Sequence, residues 1–334
     1  MIKRVLFLIA GIVLVIWVMS AFGIQEIIST ISSLNIYLFF IAIGFQLSVF
    51  SLLSIKLQLV CEEYKHLDFK DAFKIVITGL TINFITPLMK VGGEPAKIYL
   101  LKKKGRSTGR SSAIVMIDST VELVSIYLLT FLGFLAMVFT GKVQGLFLIG
   151  LGAGIILAFG LIGGMFSVLI NEKWLEKIIK FGIKIAKKFK KDLKTRSAMS
   201  YAKKFNKAFH FLLKNKRQMT KLFGVSIFSK LIEFIRIWII FLALGTIVPL
   251  QVILFAWSVI MILSLIPWLP GNLGVVEAGG ASAFVLFGIA SGISASAILV
   301  DRLLSFWFVL FLGLPILGTL KTKKVKDIAK GEEK

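Results

Sequence analysis

Nine ionisable residues embedded in strongly apolar sequence have the clearest potential for chemistry. Their carboxylates and cations could neutralise one another, or they could hold the anionic and cationic groups of a polar ligand. An ionisable side chain at the centre of a membrane span costs about 2.5–3.5 kcal/mol on insertion scales, so such residues are functional candidates by default. The candidate binding residues are Glu94, Lys97, Asp118, Glu122, Glu233, Arg236, Glu277, Asp301 and Arg302.

Spacing relates the four candidates in the first part of the chain. Asp118 and Glu122 are one helical turn apart and share a face. Two carboxylates at that distance can share a proton, because both cannot easily be charged together. Lys97 lies one turn beyond Glu94 and is predicted to pair with it.

The remaining candidates lie in the second half of the chain. Arg236 belongs to an ionic stripe with Lys230 and Glu233, which either pairs within itself against another helix or faces a ligand. Asp301 and Arg302 are consecutive, and consecutive residues of a helix do not face each other. Each of these two therefore needs its own partner, and for Arg302 we expect a carboxylate or a bound phosphate.

Part of this pattern occurs twice, 183 residues apart. Each copy has an apolar helix, a Pro/Gly break, a glutamate, a short apolar segment and a longer apolar helix with an acid near its start. Interrupted apolar segments at corresponding positions of two halves point to a central binding site in a membrane protein. The breaks contain Pro87, Gly92 and Gly93 in the first copy, and Pro270, Gly271 and Gly274 in the second.

The helix after each break is predicted to point its free N–H groups and positive dipole end into the protein. Such an end favours an anion. Glu94 and Glu277 stand at these two ends, so each is either the capping anion of its own helix or part of a ligand site.

Composition predicts an all-α integral membrane protein. Of the 334 residues, 57% are hydrophobic, which exceeds what a soluble core of this size uses. Residues 5–22 and 145–170 are uncharged runs of 18 and 26 residues, long enough to cross a hydrocarbon layer of about 30 Å.

The 40 Lys and Arg residues mark one side of the membrane. They flank the apolar segments so that both chain termini and the basic insert 172–221 fall in the cytoplasm, and only Lys142 falls outside. We therefore expect a multi-pass protein of the cell membrane, and no nucleic-acid partner. The insert has helical apolar spacing, so it either lies on an anionic leaflet as an interfacial helix or only marks the cytoplasmic side.

The resulting topology is polytopic, with six spans and two re-entrant helical hairpins. The two halves begin on opposite sides, which predicts an inverted-topology repeat. Hairpin arms of about 12–17 residues fall short of the ~20 that a span needs, although each hairpin could instead be two full spans. Repeat 1 covers 1–140, with two spans, hairpin 72–101 and span 113–140; repeat 2 covers 141–334, with span 145–170, insert 172–221, span 222–244, hairpin 251–291, span 296–320 and a basic tail.

Three stretches resemble the membrane region of lysylphosphatidylglycerol synthase, which defines a flippase-like family. They are Gly-Glu-Pro-Ala-Lys-Ile-Tyr-Leu at 93–100, Pro-Gly-Asn-Leu-Gly-Val-Val-Glu at 270–277, and Asp-Arg-Leu-Leu-Ser-Phe-Trp at 301–307. The resemblance covers most of the chain. It implies a transporter that binds an anionic membrane lipid, of phospholipid or polyprenyl-phosphate type, at the nine candidate residues and moves it between leaflets. It also implies that the helix ends, Lys97, Arg236 and Arg302 hold the phosphate.

The chain departs from the family at two positions. The family commonly has Arg in place of Lys97 and often has Arg in place of Ser119, which implies a weaker phosphate site in the first half. The soluble aminoacyl-transferase domain of fused members is also missing from this sequence. We see no catalytic constellation, metal-ligand spacing or cofactor motif, so we expect no enzyme activity, no metal and no cofactor. The alternative is a non-transporting accessory subunit that recruits or supports a lipid- or glycan-modifying enzyme.

Overall fold

The computed structural model describes residues 19–86, 92–140, 195–265 and 270–319, with single residues at 13, 15–17, 160, 164, 171 and 177. These residues form helices and short connections, and none of them forms a β-strand. The α-helices are α1 (Ile24–Ser32), α2 (Ile36–Glu62), α3 (Phe69–Ile85), α4 (Gly93–Lys103), α5 (Thr108–Thr140), α6 (Thr195–Lys214), α7 (Lys216–Ala243), α8 (Leu250–Leu265), α9 (Val275–Val285), α10 (Ser291–Arg302) and α11 (Phe308–Thr319).

Asparagine caps begin the two helices at the centre of the structure. Asn35 Oδ1 accepts the N–H groups of Tyr37 and Leu38 at 3.0 and 3.2 Å, at the start of α2. Asn215 Oδ1 accepts the N–H of Gln218 at 3.1 Å, at the start of α7. These bonds satisfy donors that have no partner within the first helical turn. Among the described residues, α2 and α7 share the most extensive helix–helix contact.

Three of the described helices are long and apolar enough to cross a membrane. They are α2, the Thr108–Leu135 part of α5, and the continuous 29-residue helix Ser291–Thr319, which joins α10 and α11 through a π turn at Leu303–Trp307. A bent pair of Val15–Ala21 and α1 would make a fourth span. The chain is therefore an integral membrane protein with several apolar helices.

The finer topology stays a prediction. Three or four spans are found among the described residues, and six were expected. Nearly all of the expected span 145–170, residues 172–176 and 178–194 of the insert, the tail from 320 onward and Pro87 lie outside the described residues. The inverted orientation of the two halves and the re-entrance of the hairpins are not tested by the helix positions alone.

A helix–break–helix unit occupies the first expected hairpin, 72–101. α3 and α4 pack against each other, and Gly93 begins α4 directly against α3. The N–H of Gly93 donates to Asn83 Oδ1 at 2.7 Å, and a Cβ at Gly93 would lie 2.8 Å from the Asn83 side chain. Glycine thus permits the close approach that lets Asn83 serve the start of α4.

The second expected hairpin, 251–291, has the same form. α8 and α9 pack together and are joined by a 3-10 turn at Pro270–Asn272. Gly271 has a φ of 65°, and the Phe306 ring lies where its Cβ would be, so only glycine fits there without strain. This turn packs against α3 of the first hairpin, so the second break lies next to the first hairpin inside the protein.

α6 is the described part of the basic insert, and it buries its apolar face in the protein. Phe205 and Phe209 belong to the core cluster that α2, α3, α4 and α5 share. Tyr64, in the loop after α2, donates its hydroxyl to the Ala208 carbonyl at 2.8 Å. Burial raises the pKa of Tyr64 to about 12, so this hydroxyl remains a donor. Phe205 and Phe209 therefore lie against other helices and not against a leaflet, and the position of α6 relative to the membrane stays a prediction.

Candidate functional site

The ionisable residues meet around a cavity of about 170 Å³ between α2, α5, α7, α8, α9 and α10. α3 and α11 contribute apolar side chains to its wall. Of the nine candidates, five line this cavity. Lys97, Asp118 and Glu277 lie behind them in ion pairs, and Glu94 lies beside Ser119. The ionisable lining residues are Glu122, Lys230, Glu233, Arg236, Asp301 and Arg302, and the uncharged polar ones are Gln46, Ser264 and Ser305.

An alternating series of charges runs through the first half of the site. Lys97 Nζ lies 3.0 Å from Asp118 Oδ2. Lys56 Nζ lies 3.1 Å from Asp118 Oδ1 and 3.0 Å from Glu122 Oε2. Asp118 is thus held by two cations from two different helices. The expected pair between Lys97 and Glu94 is wrong, because Asp118 takes Lys97.

The series continues onto α7. Lys230 Nζ lies 3.2 Å from Glu122 Oε1 and 2.7 Å from Glu233 Oε1. The stripe on α7 therefore pairs partly within itself, through Lys230 and Glu233, and partly with α5. Because Glu122 also contacts Lys56, the network joins α2, α5 and α7.

Arg236 pairs with Asp301 in the second half of the site. Its Nε and Nη2 lie 3.0 and 2.7 Å from Asp301 Oδ1, and its Nη1 donates to the Gln46 side-chain oxygen on α2. Ser305 Oγ lies 3.4 Å from the other carboxylate oxygen of Asp301. Asp301 is one turn before Ser305, so both face the cavity.

Arg302 pairs with Glu277, which separates it from its neighbour Asp301 as expected. Arg302 Nε lies 2.8 Å from Glu277 Oε1, and Arg302 Nη2 donates to the Gly271 carbonyl. The other oxygen of Glu277 accepts the Gly274 N–H at 2.7 Å. Glu277 therefore caps α9 and binds Arg302 at the same time, so both interpretations of this acid apply together.

Glu94 has a different environment from its counterpart Glu277. Glu94 Oε1 lies 3.4 Å from Ser119 Oγ, and Glu94 Oε2 is buried without a hydrogen-bond partner among the described residues. Ser119 occupies the position that corresponds to Arg302. Ser119 and Arg302 are 183 residues apart, and so are Glu94 and Glu277. Glu94 thus has a serine where Glu277 has an arginine as its partner.

The ion pairs of the two halves also correspond. Asp118 and Asp301 are 183 residues apart, and their partners Lys56 and Arg236 are 180 apart. In each half, the acid after the hairpin binds a cation from the helix before the hairpin. The two cations are thus one helical turn away from strictly equivalent positions.

Sequence reasoning missed Lys56 and Gln46. Lys56 is only 1% exposed, and it lies inside the apolar helix α2. The rule that selected the other candidates, an ionisable residue within a span, applies equally to Lys56 and would have found it. Gln46 carries no charge and gave no comparable signal, although it binds Arg236.

The charges of the site almost balance. Five cations face six acids, and each cation has a carboxylate oxygen at 2.7 to 3.0 Å. Removing one partner of a buried pair typically costs about 3–5 kcal/mol, because the other charge is left uncompensated. The buried cations of the site are therefore already neutralised by protein carboxylates. Within the described residues, no group of His, Cys, Asp and Glu is placed to hold a metal ion.

Comparison with known proteins agrees with this architecture. Residues 4–313 match the family model described as the lysylphosphatidylglycerol synthase TM region. A UPF0104 membrane protein of Methanocaldococcus jannaschii is 24% identical over 338 residues, covering 99% of this chain and 98% of that protein. A UPF0104 membrane protein of Methanothermobacter thermautotrophicus is 26% identical over 268 residues, covering 77% and 78%. One of Pyrococcus horikoshii is 27% identical over 262 residues, covering 74% and 76%. The chain therefore belongs to the lysylphosphatidylglycerol synthase transmembrane-region family of membrane proteins.

Proposed function

We propose that this protein is a flippase-like transporter of the cell membrane, with both termini in the cytoplasm. It binds the head group of a phospholipid or polyprenyl-phosphate lipid in the central cavity and moves that lipid between leaflets. Its role is transport and not catalysis. The observation that carries this proposal is a cavity lined by six ionisable side chains, which are paired with each other or with charges just behind them.

Partner exchange gives this cavity a way to bind a charged head group. A phosphate that approaches Arg236 or Arg302 can replace Asp301 or Glu277 as the acceptor, since guanidinium groups bind phosphate in the same forked geometry as carboxylate. The released carboxylate then holds a proton or a cationic part of the head group. Each buried charge keeps a partner throughout, which avoids the cost of an isolated ion.

The helix breaks contribute to the same site. Gly274 and Gly271 place backbone N–H and carbonyl groups at the Glu277–Arg302 pair. Irregular backbone at membrane depth is tolerated where it is buried in protein or lines a wet cavity. Two such breaks in corresponding positions suit a transporter in which one repeat moves relative to the other around a fixed site.

Complete pairing of the cations also suits the second candidate, a non-transporting accessory subunit. In that case the charges only hold the helices together, and the protein recruits or supports a lipid- or glycan-modifying enzyme. The two candidates differ in whether the cavity must stay open to a ligand.

Filling the cavity without removing a charge separates these functions. Ser305→Phe places a ring in the cavity, and Ser282→Phe makes the same change at an exposed position of α9. Each variant is reconstituted into vesicles that contain lipids with a reagent-accessible head group, and the rate of leaflet exchange is measured. We expect Ser305→Phe to abolish exchange and Ser282→Phe to preserve it. If the wild-type protein exchanges none of a panel of anionic lipids, the accessory function is favoured.

A further inference from the structure

A second, apolar cavity lies beside the polar one. It has a volume of about 310 Å³ and is lined by Phe39 and Ile43 of α2 together with residues of the π turn and α11. Its volume is at the lower end of the roughly 300–1,000 Å³ range of ligand pockets. The residues from the long helix are Leu303, Leu304, Trp307, Phe308 and Phe311.

Both cavities are lined by α2 and by the Ser291–Thr319 helix, through different residues. On α2, Phe39 and Ile43 line the apolar cavity, and Gln46, Val49 and Leu53 line the polar one. These positions recur at helical spacing and form one continuous stripe on α2. From Phe39 to Gln46 the stripe advances by about 10 Å at 1.5 Å per residue. The apolar cavity is thus within the length of one lipid molecule from the polar cavity.

The long helix divides its faces between the same two cavities. Asp301, Arg302 and Ser305 face the polar cavity, and Leu304 and Trp307 face the apolar one. The π turn at Leu303–Trp307 occurs at this division, and π turns within α-helices frequently occur at functional sites. On both α2 and the Ser291–Thr319 helix, residues that line the polar cavity therefore lie next to residues that line the apolar cavity.

We propose that the apolar cavity binds a hydrocarbon chain of the same lipid whose head group occupies the polar cavity. This inference rests on the proposed function and adds the tail subsite to it. The lipid then enters from the side, between α2 and the Ser291–Thr319 helix, with its chain against Phe39 and Trp307 and its head beyond Gln46. An amphipathic ligand fits because each wall matches one part of the molecule.

A photoreactive residue tests the occupant directly. Benzoylphenylalanine replaces Phe39 in one variant and Phe40 in the other. Phe40 is the next residue of α2, is 63% exposed and does not line the cavity. After illumination in native membranes, the crosslinked lipids are identified by mass spectrometry. We expect position 39 to capture one lipid class at least about fivefold above its share of the membrane, which corresponds to about 1 kcal/mol of preference. Position 40 should capture lipids in bulk proportion. Bulk proportion at both positions would overturn the tail subsite, since the cavity would then hold ordinary surrounding lipid.

A filling variant links the subsite to movement of the lipid. Ile43→Trp occupies the apolar cavity, and Ile41→Trp adds the same ring on an exposed face of α2. We expect leaflet exchange to fall about tenfold in Ile43→Trp, about 1.4 kcal/mol, and to stay unchanged in Ile41→Trp. If leaflet exchange is unchanged in Ile43→Trp but abolished in Ser305→Phe, the tail subsite is overturned and the transport function stands. Selective capture at position 39 without any exchange would support the subsite and count against transport.

Discussion

The Arg302–Glu277 pair provides the sharpest test of how the site is built. Both side chains are less than a tenth exposed, and Arg302 Nε lies 2.8 Å from Glu277 Oε1. Arg302→Gln keeps a polar side chain but removes the positive charge, so the Glu277 carboxylate loses its cation and keeps the Gly274 N–H. We expect this variant to be less stable than the wild type, because a buried carboxylate loses its cation.

The magnitude follows from the burial of the pair. Removing one partner of a buried ion pair typically costs about 3–5 kcal/mol in the free energy of unfolding. For a chain of this size, a shift of about 2 °C per kcal/mol lowers the melting temperature by about 6–10 °C. The double variant Arg302→Gln with Glu277→Gln removes both charges, so we expect it to lose less than the sum of the single variants. The difference should fall within about 0.5–3 kcal/mol, as for other residues in contact.

The chain contains its own reporter for this measurement. Cys61 is the single cysteine and is fully buried, so a dye that fluoresces on reacting with a thiol reports unfolding. Arg217→Gln is the matched control, because Arg217 is exposed in the first turn of α7 and should change stability by no more than about 0.5 kcal/mol.

Two results would contradict this reasoning. If Arg302→Gln melts at the wild-type temperature, the pair is not buried as described. If the losses of the two single variants simply add in the double variant, the two side chains do not interact. A double variant that regains stability but still fails in leaflet exchange would show that Arg302 serves both packing and lipid binding.

Three further predictions use the same thermal and labelling assays. Ser119→Arg should raise the melting temperature by giving Glu94 the partner that Glu277 has, and Ser119→Gln should not; a lower temperature with Arg would contradict the correspondence of the two halves. Gly271→Ala should lower the free energy of unfolding by about 1–3 kcal/mol, because Gly271 has a positive φ and the Phe306 ring lies where a Cβ would be. Gly224→Ala, with open space around its Cβ position, should leave the stability unchanged or raise it slightly. With Cys61 replaced, an impermeant thiol reagent should label two introduced cysteines in intact cells and leave a third unlabelled, and labelling of the third would overturn the topology. The labelled positions are Ser29 and Thr246, and the unlabelled one is Ser197.

The helical class, the broken helical segments and most of the charged cluster could be predicted from the sequence, for physical reasons. Apolar length predicts membrane helices, glycine and proline predict breaks, and an ionisable residue in such a helix needs a buried partner. The separate partners of Asp301 and Arg302 followed from helix geometry alone, and the structure confirms that the two side chains have different partners.

Pairings across the fold could not be predicted in this way. Lys97 was assigned to Glu94 because they are one turn apart, but α4 lies so close to α5 that Asp118 competes for the same ammonium group. Lys56 meets the rule for a candidate residue, but its partners could not be predicted, because its two acids come from α5, 62 and 66 residues later. Spacing along a helix reveals which residues share a face, and only the packing of helices decides which faces meet.

The cations of α7 have a consequence for any movement between the two halves. Lys230 contacts Glu233 on its own helix and Glu122 across the boundary, and Arg236 contacts Asp301 in its own half and Gln46 across the boundary. If the halves separated, Lys230 would lose Glu122 and keep Glu233. Arg236 would lose Gln46 and keep Asp301. Glu122 would likewise keep Lys56. Each of these charged side chains would therefore keep an oppositely charged partner if the two halves separated at this boundary.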